Sequence, residues 1–175
     1  MCGRYAVTSA PEAIRALFGY PEQPNFPPRY NIAPTQPILI VRHRWQQPEA
    51  RLEAVHVKWG LLPSWAKDAS MAAKLANARG ETVAEKPAFR SAFRRMRCLV
   101  PADGFYEWEA TPAGKQPWFI RLKAGGLLAF AGLWEHWHST GSAWAIAAPA
   151  AVSESSPVSS IFPILITIAL GMGLL

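Results

Sequence analysis

Short hydrophobic runs separated by turn-forming residues predict that the chain is built mainly from β-strands. Residues 54–59 (AVHVKW) place Val55, Val57 and Trp59 at every second position, which is the period of a half-buried strand. Further strands are predicted at residues 38–41, 98–100, 105–110, 118–123, 127–134 and 144–148. Residues 111–114, with the sequence TPAG, predict a tight turn between two of these strands.

Two segments show helical features instead. In residues 9–18, Ser9 and Glu12 have the spacing of a capping box, and Gly19 is suited to end the helix. Residues 85–96 carry hydrophobic side chains at helical spacing. Many short strands with a few short helices predict an α+β fold, built on a curved, barrel-like antiparallel β-sheet.

Length and composition limit the class of protein. The chain has 175 residues, of which 50% are hydrophobic, enough for one domain or for one domain and a tail. This composition excludes a disordered chain and a collagen, and 2 cysteines are too few for a disulfide-stapled scaffold. Because no signal peptide is recognised, the expected location is the cytoplasm.

Positive charge is concentrated in one part of the chain. All 18 Lys and Arg residues and ten of the 12 Asp and Glu residues lie in residues 1–123, which carry a formal charge of +8. The charged residues of 124–175 are Glu135 and Glu154. Such a basic body suits a polyanionic partner, either nucleic acid or an anionic membrane surface. A solvated surface with a cationic excess explains the charge equally well.

The second residue has a distinctive chemistry. Removal of Met1 by methionine aminopeptidase, which tolerates a small second residue, leaves Cys2 with an α-amine and a thiol. Such a 1,2-aminothiol condenses with an aldehyde to a Schiff base and then closes to a thiazolidine, because part of the α-amine is unprotonated at neutral pH. The same layout suits amide hydrolysis by an N-terminal nucleophile. Taken alone, the position is more often that of an ordinary cysteine.

Three further segments contain residue types with candidate chemistry. Asn77 offers an amide, and Arg79 offers a planar guanidinium suited to phosphate. On its predicted strand, Glu107 lies among aromatic residues, where a carboxylate can hold or pass a proton. Trp65, in the Gly- and Pro-containing residues 59–66, has a side chain that stacks on nucleobases when exposed. Ordinary loop, surface and core positions are the plain alternatives.

No metal or cofactor is expected. Cys2 and Cys98 are far apart in sequence, and nothing resembles the ligand spacing of a zinc site. The chain also lacks a phosphate-cradling glycine loop and a serine nucleophile elbow.

Six sequence blocks follow one another along the chain. They are residues 1–5 (MCGRY), 29–34 (RYNIAP), 59–65 (WGLLPSW), 77–82 (NARGET), 97–108 (RCLVPADGFYEW) and 130–135 (FAGLWE). In this order they resemble the SRAP family, the SOS-response-associated or abasic-site processing proteins. The resemblance runs from residue 1 to about residue 145.

This resemblance implies binding to single-stranded DNA and covalent cross-linking to abasic sites. The family's cysteine, exposed by loss of methionine, forms a thiazolidine with the aldehyde of the ring-opened sugar, and it matches Cys2. The family's active-site amide and carboxylate match Asn77, which positions the sugar, and Glu107, which transfers protons. The family residues that contact DNA match Arg4, Arg79 and Trp65.

The implied partner is single-stranded DNA with abasic sites, in the DNA damage or SOS response. A monomer is expected in the cytoplasm, associated with the nucleoid when bound to DNA. The resemblance also implies thiol (auto)peptidase and AP-lyase activities. A peptidase acting on other substrates, a non-catalytic single-strand binder and an inactive truncated product stay open as alternatives.

The last part of the sequence departs from the family pattern. We expect an SRAP-like domain at residues 1–145 and a divergent apolar tail at 146–175, derived from a shifted reading frame or an altered 3′ end. The family's His-Asp-Arg-Met-Pro-like segment is not found after His138, so an incomplete fold and impaired activity are expected. Residues 161–175 are uncharged but shorter than a bilayer span of about 20 residues, which makes them a weak anchor candidate, and no membrane partner is expected.

Overall fold

β-strands are the main secondary structure of the described part of the chain, which comprises residues 3–43, 52–139 and 142–151 in a computed structural model. The strands are β1 Arg4–Val7, β2 Arg29–Ile32, β3 Pro37–His43, β4 Leu52–Trp59, β5 Ala78–Arg79, β6 Arg97–Ala102, β7 Gly104–Thr111, β8 Gly114–Ile120, β9 Leu128–Ser139 and β10 Ser142–Ala151. The helices are α1 Pro11–Phe18, α2 Arg90–Arg95 and a 3-10 helix at Ala69–Leu75.

The larger sheet curls on itself. Its strand order is β4-β3-β6-β9-β10-β5, and β10 also pairs with β4. The predicted α+β fold with a curved, barrel-like antiparallel sheet is therefore confirmed. The pairings of β10 with β4 and with β5 are parallel, whereas the other pairings in this sheet are antiparallel.

The smaller sheet has the order β2-β1-β7-β8 and carries the start of the described chain. In β1, Arg4 is opposite Tyr106 of β7, and Tyr5 is opposite Phe105. The turn predicted at residues 111–114 joins β7 to β8, and Thr111 is opposite Gly114 there. Every residue of β8 is exposed, so this hairpin projects from the body of the molecule.

Aromatic side chains pack the two sheets together. Tyr5, which is 1% exposed, meets the edge of the Trp59 ring with centroids 5.3 Å apart and the Phe130 ring at 5.9 Å. Trp59 lies on β4 and Phe130 on β9, so one side chain from the first strand contacts two strands of the larger sheet. Edge-to-face pairs of this kind add to the free energy gained from burial, by about 1 kcal/mol each.

The predicted capping box is wrong. The N-cap of α1 is Ala10, and no side chain caps this helix. Instead the Ser9 hydroxyl donates to the Asp103 carboxylate at 2.5 Å, across 94 positions of sequence. A charged acceptor outcompetes a local backbone donor here, because hydrogen bonds to ionised groups are the stronger ones. The predicted end of the helix is confirmed, since Gly19 has the left-handed φ of 70°.

The helix predicted at residues 85–96 is shorter in the structure. It begins only at Arg90, and turns occupy residues 81–89. Pro87 explains the difference, because proline disfavours a helical conformation in the residue before it and has no N–H to donate. The short β2 also lies in a proline-rich segment whose sequence gives no strand pattern.

Asp103 fastens the first strand and helix to the β6–β7 corner. Its carboxylate accepts the backbone N–H groups of Thr8 and Ser9 at 2.5 and 2.9 Å, in addition to the Ser9 hydroxyl. Its own N–H donates to the Ala6 carbonyl at 2.9 Å. The N-terminal strand is thus held in place from the turn that begins β7.

Replacing Asp103 with alanine is expected to lower the free energy of unfolding by about 2–3 kcal/mol, because three donors lose a charged acceptor. Urea denaturation measures this loss. Asp68→Ala is the matched control, since the exposed Asp68 carboxylate accepts from the neighbouring Ser70, whose N–H lies 2.8 Å away, and a clearly smaller loss is expected there. Equal losses in the two variants contradict the role assigned to Asp103.

Candidate functional site

The N-terminal end of β1 lies beside Glu107. Because Arg4 is opposite Tyr106, the antiparallel register continued by one residue sets Gly3 next to Glu107. The Glu107 side chain is half-buried, and on its other side β8 presents Trp118 in register. Met1 and Cys2 lie outside the described residues. The register thus puts a carboxylate where the start of the chain enters the sheet.

Arg4 lies at the same end of this sheet. Its guanidinium donates to the Asn31 side-chain oxygen of β2 at 3.1 Å. The hydroxyl of Tyr106 donates to the backbone carbonyl of Tyr30 at 3.0 Å, which fastens β2 from the other side of β1. Asn31 lies in one of the six sequence blocks, yet no signal in the sequence assigns it this contact.

Trp59 connects the first strand to the segment that contains Asn77. Its indole N–H donates to the Ala76 carbonyl at 2.7 Å, and its ring edge contacts Tyr5. Trp59 is 0% exposed, so the hydrogen bond is shielded from water. Asn77 itself is half-buried and follows Ala76 directly, between the 3-10 helix and β5. One buried side chain therefore ties the Asn77 backbone to β1.

Gly60 allows the chain to turn close to the 3-10 helix. Its φ is +134°, and an added Cβ would lie 2.4 Å from the Ala72 carbonyl oxygen. The next residue, Leu61, donates its N–H to the Leu75 carbonyl at 3.0 Å. The Trp-Gly pair of the sequence block at residues 59–65 thus positions the segment before Asn77.

The other two predicted DNA-contacting side chains are exposed. Arg79 lies on β5, whose register pairs it with Ala151 of β10. Trp65 is 57% exposed and lies in the loop that follows β4. Exposure leaves both side chains accessible to a partner, whereas Arg4, Glu107 and Asn77 are each half-buried.

A pocket of about 140 Å³ lies beside Trp65. Its wall combines the loop after β4, the turn before α2, the first turn of α2 and one residue of β9. The lining residues are Pro63, Ser64, Trp65, Pro87, Ala88, Arg90, Ser91 and Glu135. Glu135 is only 8% exposed. The sequence alone gives Glu135 no role, because its burial depends on how α2 packs against β9.

The environment of Glu135 favours its neutral form. Burial raises the pKa of the Glu135 carboxyl above its ordinary value, although the His136 backbone N–H and the charge of Arg95 oppose the shift. The His136 N–H donates to Oε1 at 3.2 Å. Of the arginines of α2, Arg95 acts on the carboxyl through its charge, and Arg90 lines the same pocket as Glu135.

Glu135→Gln is expected to stabilise the protein relative to wild type, and increasingly so as pH rises. The folded state binds the Glu135 proton more tightly than the unfolded state does, so wild-type stability falls as pH rises through the raised pKa. Well below the ordinary pKa the carboxyl is neutral in both states, and this contribution vanishes. Urea denaturation of both proteins between about pH 4 and 8 measures the difference. A difference that does not change with pH contradicts the burial of this carboxyl.

Cys98 does not have the environment of a reactive thiol. It is 4% exposed, and burial raises its pKa despite the nearby charge of Arg42. Among residues 3–43, 52–139 and 142–151, no three His, Cys, Asp or Glu side chains are placed to hold a metal ion. In that same part of the chain, no helix has the length and hydrophobicity needed to cross a membrane.

Comparisons with known proteins match most of the chain to one family. The family model described as SOS response associated peptidase (SRAP) matches residues 1–166. The abasic site processing proteins YoqW and YoaM of Bacillus subtilis are 41% and 43% identical to the chain over 143 and 141 residues, which are 79% and 78% of it. These alignments cover 62% and 60% of the relatives, so the chain spans less than two thirds of their length.

A solved structure has the same fold. A crystal structure of a protein from Bacteroides thetaiotaomicron superposes with a TM-score of 0.73 at 24% identity, over 85% of this chain and 67% of that one. At this identity the similarity describes the fold alone.

Proposed function

The chain belongs to the SOS response associated peptidase (SRAP) family, and from this premise we propose that it processes abasic sites in single-stranded DNA through a covalent cross-link to Cys2. The relatives YoqW and YoaM carry the description abasic site processing protein. The substrate is the ring-opened sugar, which presents an aldehyde. The product is a thiazolidine that joins the sugar carbon to the nitrogen and sulfur of Cys2.

The reaction balances without a cofactor. Hydrolysis of the Met1–Cys2 peptide bond first frees the α-amine. The amine nitrogen then attacks the aldehyde carbon, and loss of one water leaves a C=N bond. The Cys2 thiol sulfur adds to the imine carbon while its proton passes to the nitrogen. Condensation of aldehyde and aminothiol therefore releases one water and consumes no oxidant or reductant.

The observation that carries the proposal is the register of β1 against β7. Arg4 is opposite Tyr106, so one further residue of this register sets Gly3 beside Glu107, and Gly3 is bonded to Cys2. Glu107 is thus a candidate to take the proton lost by the α-amine and to return it as water leaves. Trp59 donates its indole N–H to the Ala76 carbonyl and packs against Tyr5 of β1. Asn77 directly follows Ala76, so we propose it as the residue that orients the sugar.

The remaining residues are proposed to hold the strand. Arg4 and Arg79 are suited to phosphate because a guanidinium makes paired hydrogen bonds with its oxygens. Trp65 offers an exposed ring on which a base can stack. Binding of this kind weakens as salt is raised, since phosphate contacts release counterions. The protein would act in the cytoplasm, at damaged single-stranded DNA.

Incubation with a single-stranded oligonucleotide that contains one abasic site tests the proposal. We expect a heat-stable product of lower mobility on a denaturing gel. An oligonucleotide with a reduced abasic sugar, which has no aldehyde, should give none, and neither should an undamaged strand. Absence of the product with the aldehyde-bearing strand contradicts the proposal.

A further inference from the structure

The pocket beside Trp65 combines a flat apolar wall with a polar base. The lining residues Pro63, Trp65 and Pro87 offer apolar surface, while Glu135, which is 8% exposed, is the acidic residue of the lining. The pocket also includes the side chain of the exposed Ser91. Its volume of about 140 Å³ admits a single small ring system and excludes a folded chain. Ligands that match such a site have two apolar faces and a polar edge.

An unpaired nucleobase has this shape and chemistry. Its faces stack on aromatic side chains, and its edge presents hydrogen-bond donors and acceptors. Arg90 lines the same pocket and is exposed, so its guanidinium is available to a phosphate next to a bound base.

We propose that this pocket binds one unpaired base of the DNA strand and that Glu135 selects a base with an exocyclic amine. The inference rests on the proposed function, because it takes single-stranded DNA as the partner. It adds a specificity-determining residue outside the segments that carry Cys2, Asn77 and Glu107.

The selection follows from the hydrogen-bonding capacity of a carboxyl group. When ionised, the Glu135 carboxylate accepts hydrogen bonds and donates none, whereas its neutral form both donates and accepts, as an amide does, so the selection belongs to the ionised form. Cytosine, adenine and guanine each offer an exocyclic amine as donor, whereas thymine offers carbonyl oxygens on both sides of its single ring N–H. A thymine in the pocket therefore places a carbonyl against an acceptor. Cytosine and thymine have nearly the same size, so they isolate this effect.

Equilibrium binding of undamaged oligonucleotides tests the selection without the cross-link. At a pH well above the raised pKa of Glu135, wild-type protein is expected to bind a dC strand of about 12 nucleotides about tenfold more tightly than a dT strand, by fluorescence anisotropy. The preference should weaken as the pH is lowered through that pKa, because the neutral carboxyl also donates a hydrogen bond. Glu135→Gln should reduce this ratio to about threefold or less, because an amide both donates and accepts and so pairs with either base. Equal affinities in wild type, or a ratio unchanged by Glu135→Gln, would overturn the proposal.

A second variant guards against a folding defect at the buried Glu135. Ser91→Tyr fills the pocket from an exposed position of α2 and should also abolish the preference for dC. Ala16→Tyr adds the same ring to the exposed side of α1 and should leave the preference intact. A preference that survives Ser91→Tyr overturns the proposal.

The abasic cross-link is measured in parallel on the same proteins. A retained dC preference without any cross-link supports this pocket and contradicts the proposed function. A cross-link without any dC preference supports the proposed function and overturns this pocket. The two assays therefore distinguish failure of the base-binding pocket from failure of the proposed cross-linking function.

Discussion

Cys2→Ala is expected to lose the abasic-site cross-link completely. Alanine keeps the α-amine, so a Schiff base still forms, but without a thiol the thiazolidine ring cannot close. The Schiff base hydrolyses on heating, whereas the ring product persists. Denaturing gels of heated samples therefore separate the two outcomes.

Cys98→Ala is the matched control for this loss. The Cys98 thiol is buried. Its Sγ packs against Gly132 of β9, where an added Cβ would lie 2.8 Å from the sulfur. The variant should lose about 1 kcal/mol of stability and retain the full yield of cross-link. A cross-link that survives Cys2→Ala, or one that disappears in Cys98→Ala, contradicts the proposed chemistry.

Glu107→Gln is expected to slow formation of the cross-link about 100-fold, because glutamine cannot take the proton of the amine or return it to the leaving water. Single-turnover gel assays with excess protein measure the rate. The yield at long times should approach that of wild type, since the aminothiol is unchanged.

Glu109→Gln provides the matched comparison on the same strand. Glu109 shares a face of β7 with Glu107, but it is exposed and accepts the Trp118 indole N–H at 3.0 Å. Its replacement should change the rate by no more than about twofold, because surface substitutions away from a site have small effects. If both variants slow the reaction equally, the slower rate reflects a general effect on the β7–β8 hairpin and contradicts proton transfer by Glu107.

Local signals predicted much of the sheet. The strands predicted at residues 105–110 and 118–123 overlap β7 and β8, and the structure has the turn at TPAG, although β8 begins at Gly114 and ends at Ile120. Interactions across the sequence account for the errors. The Ser9 hydroxyl donates to Asp103 and does not cap α1. Because of Pro87, α2 begins only at Arg90. β1 is only four residues long and gives no alternating pattern to read.

The candidate site could be predicted as a set of residues but not as an arrangement. Neither the register of Arg4 against Tyr106 nor the hydrogen bond from Trp59 to Ala76 can be deduced from spacing, because both join distant segments. The burial of Glu135 likewise depends on tertiary packing. The roles of Cys2 and of the DNA-contacting residues stay predictions.

The predicted division between residues 1–145 and 146–175 also stays a prediction. β10 extends to Ala151 and pairs Ile146 with Lys58 of β4. Residues 152–175 lie outside the described part of the chain. The expected effect of lacking the family's histidine segment is likewise untested.

Peptide mass spectrometry of the cross-linked protein tests the central claim most directly. After digestion of the DNA and the protein, the N-terminal peptide should lack Met1 and carry the abasic sugar remnant on Cys2. Its mass should exceed that of the unmodified peptide by the mass of the sugar remnant minus one water. The modification should persist without borohydride treatment. A remnant found on a lysine, or an N-terminal peptide that is unmodified in the cross-linked band, would contradict a thiazolidine at Cys2.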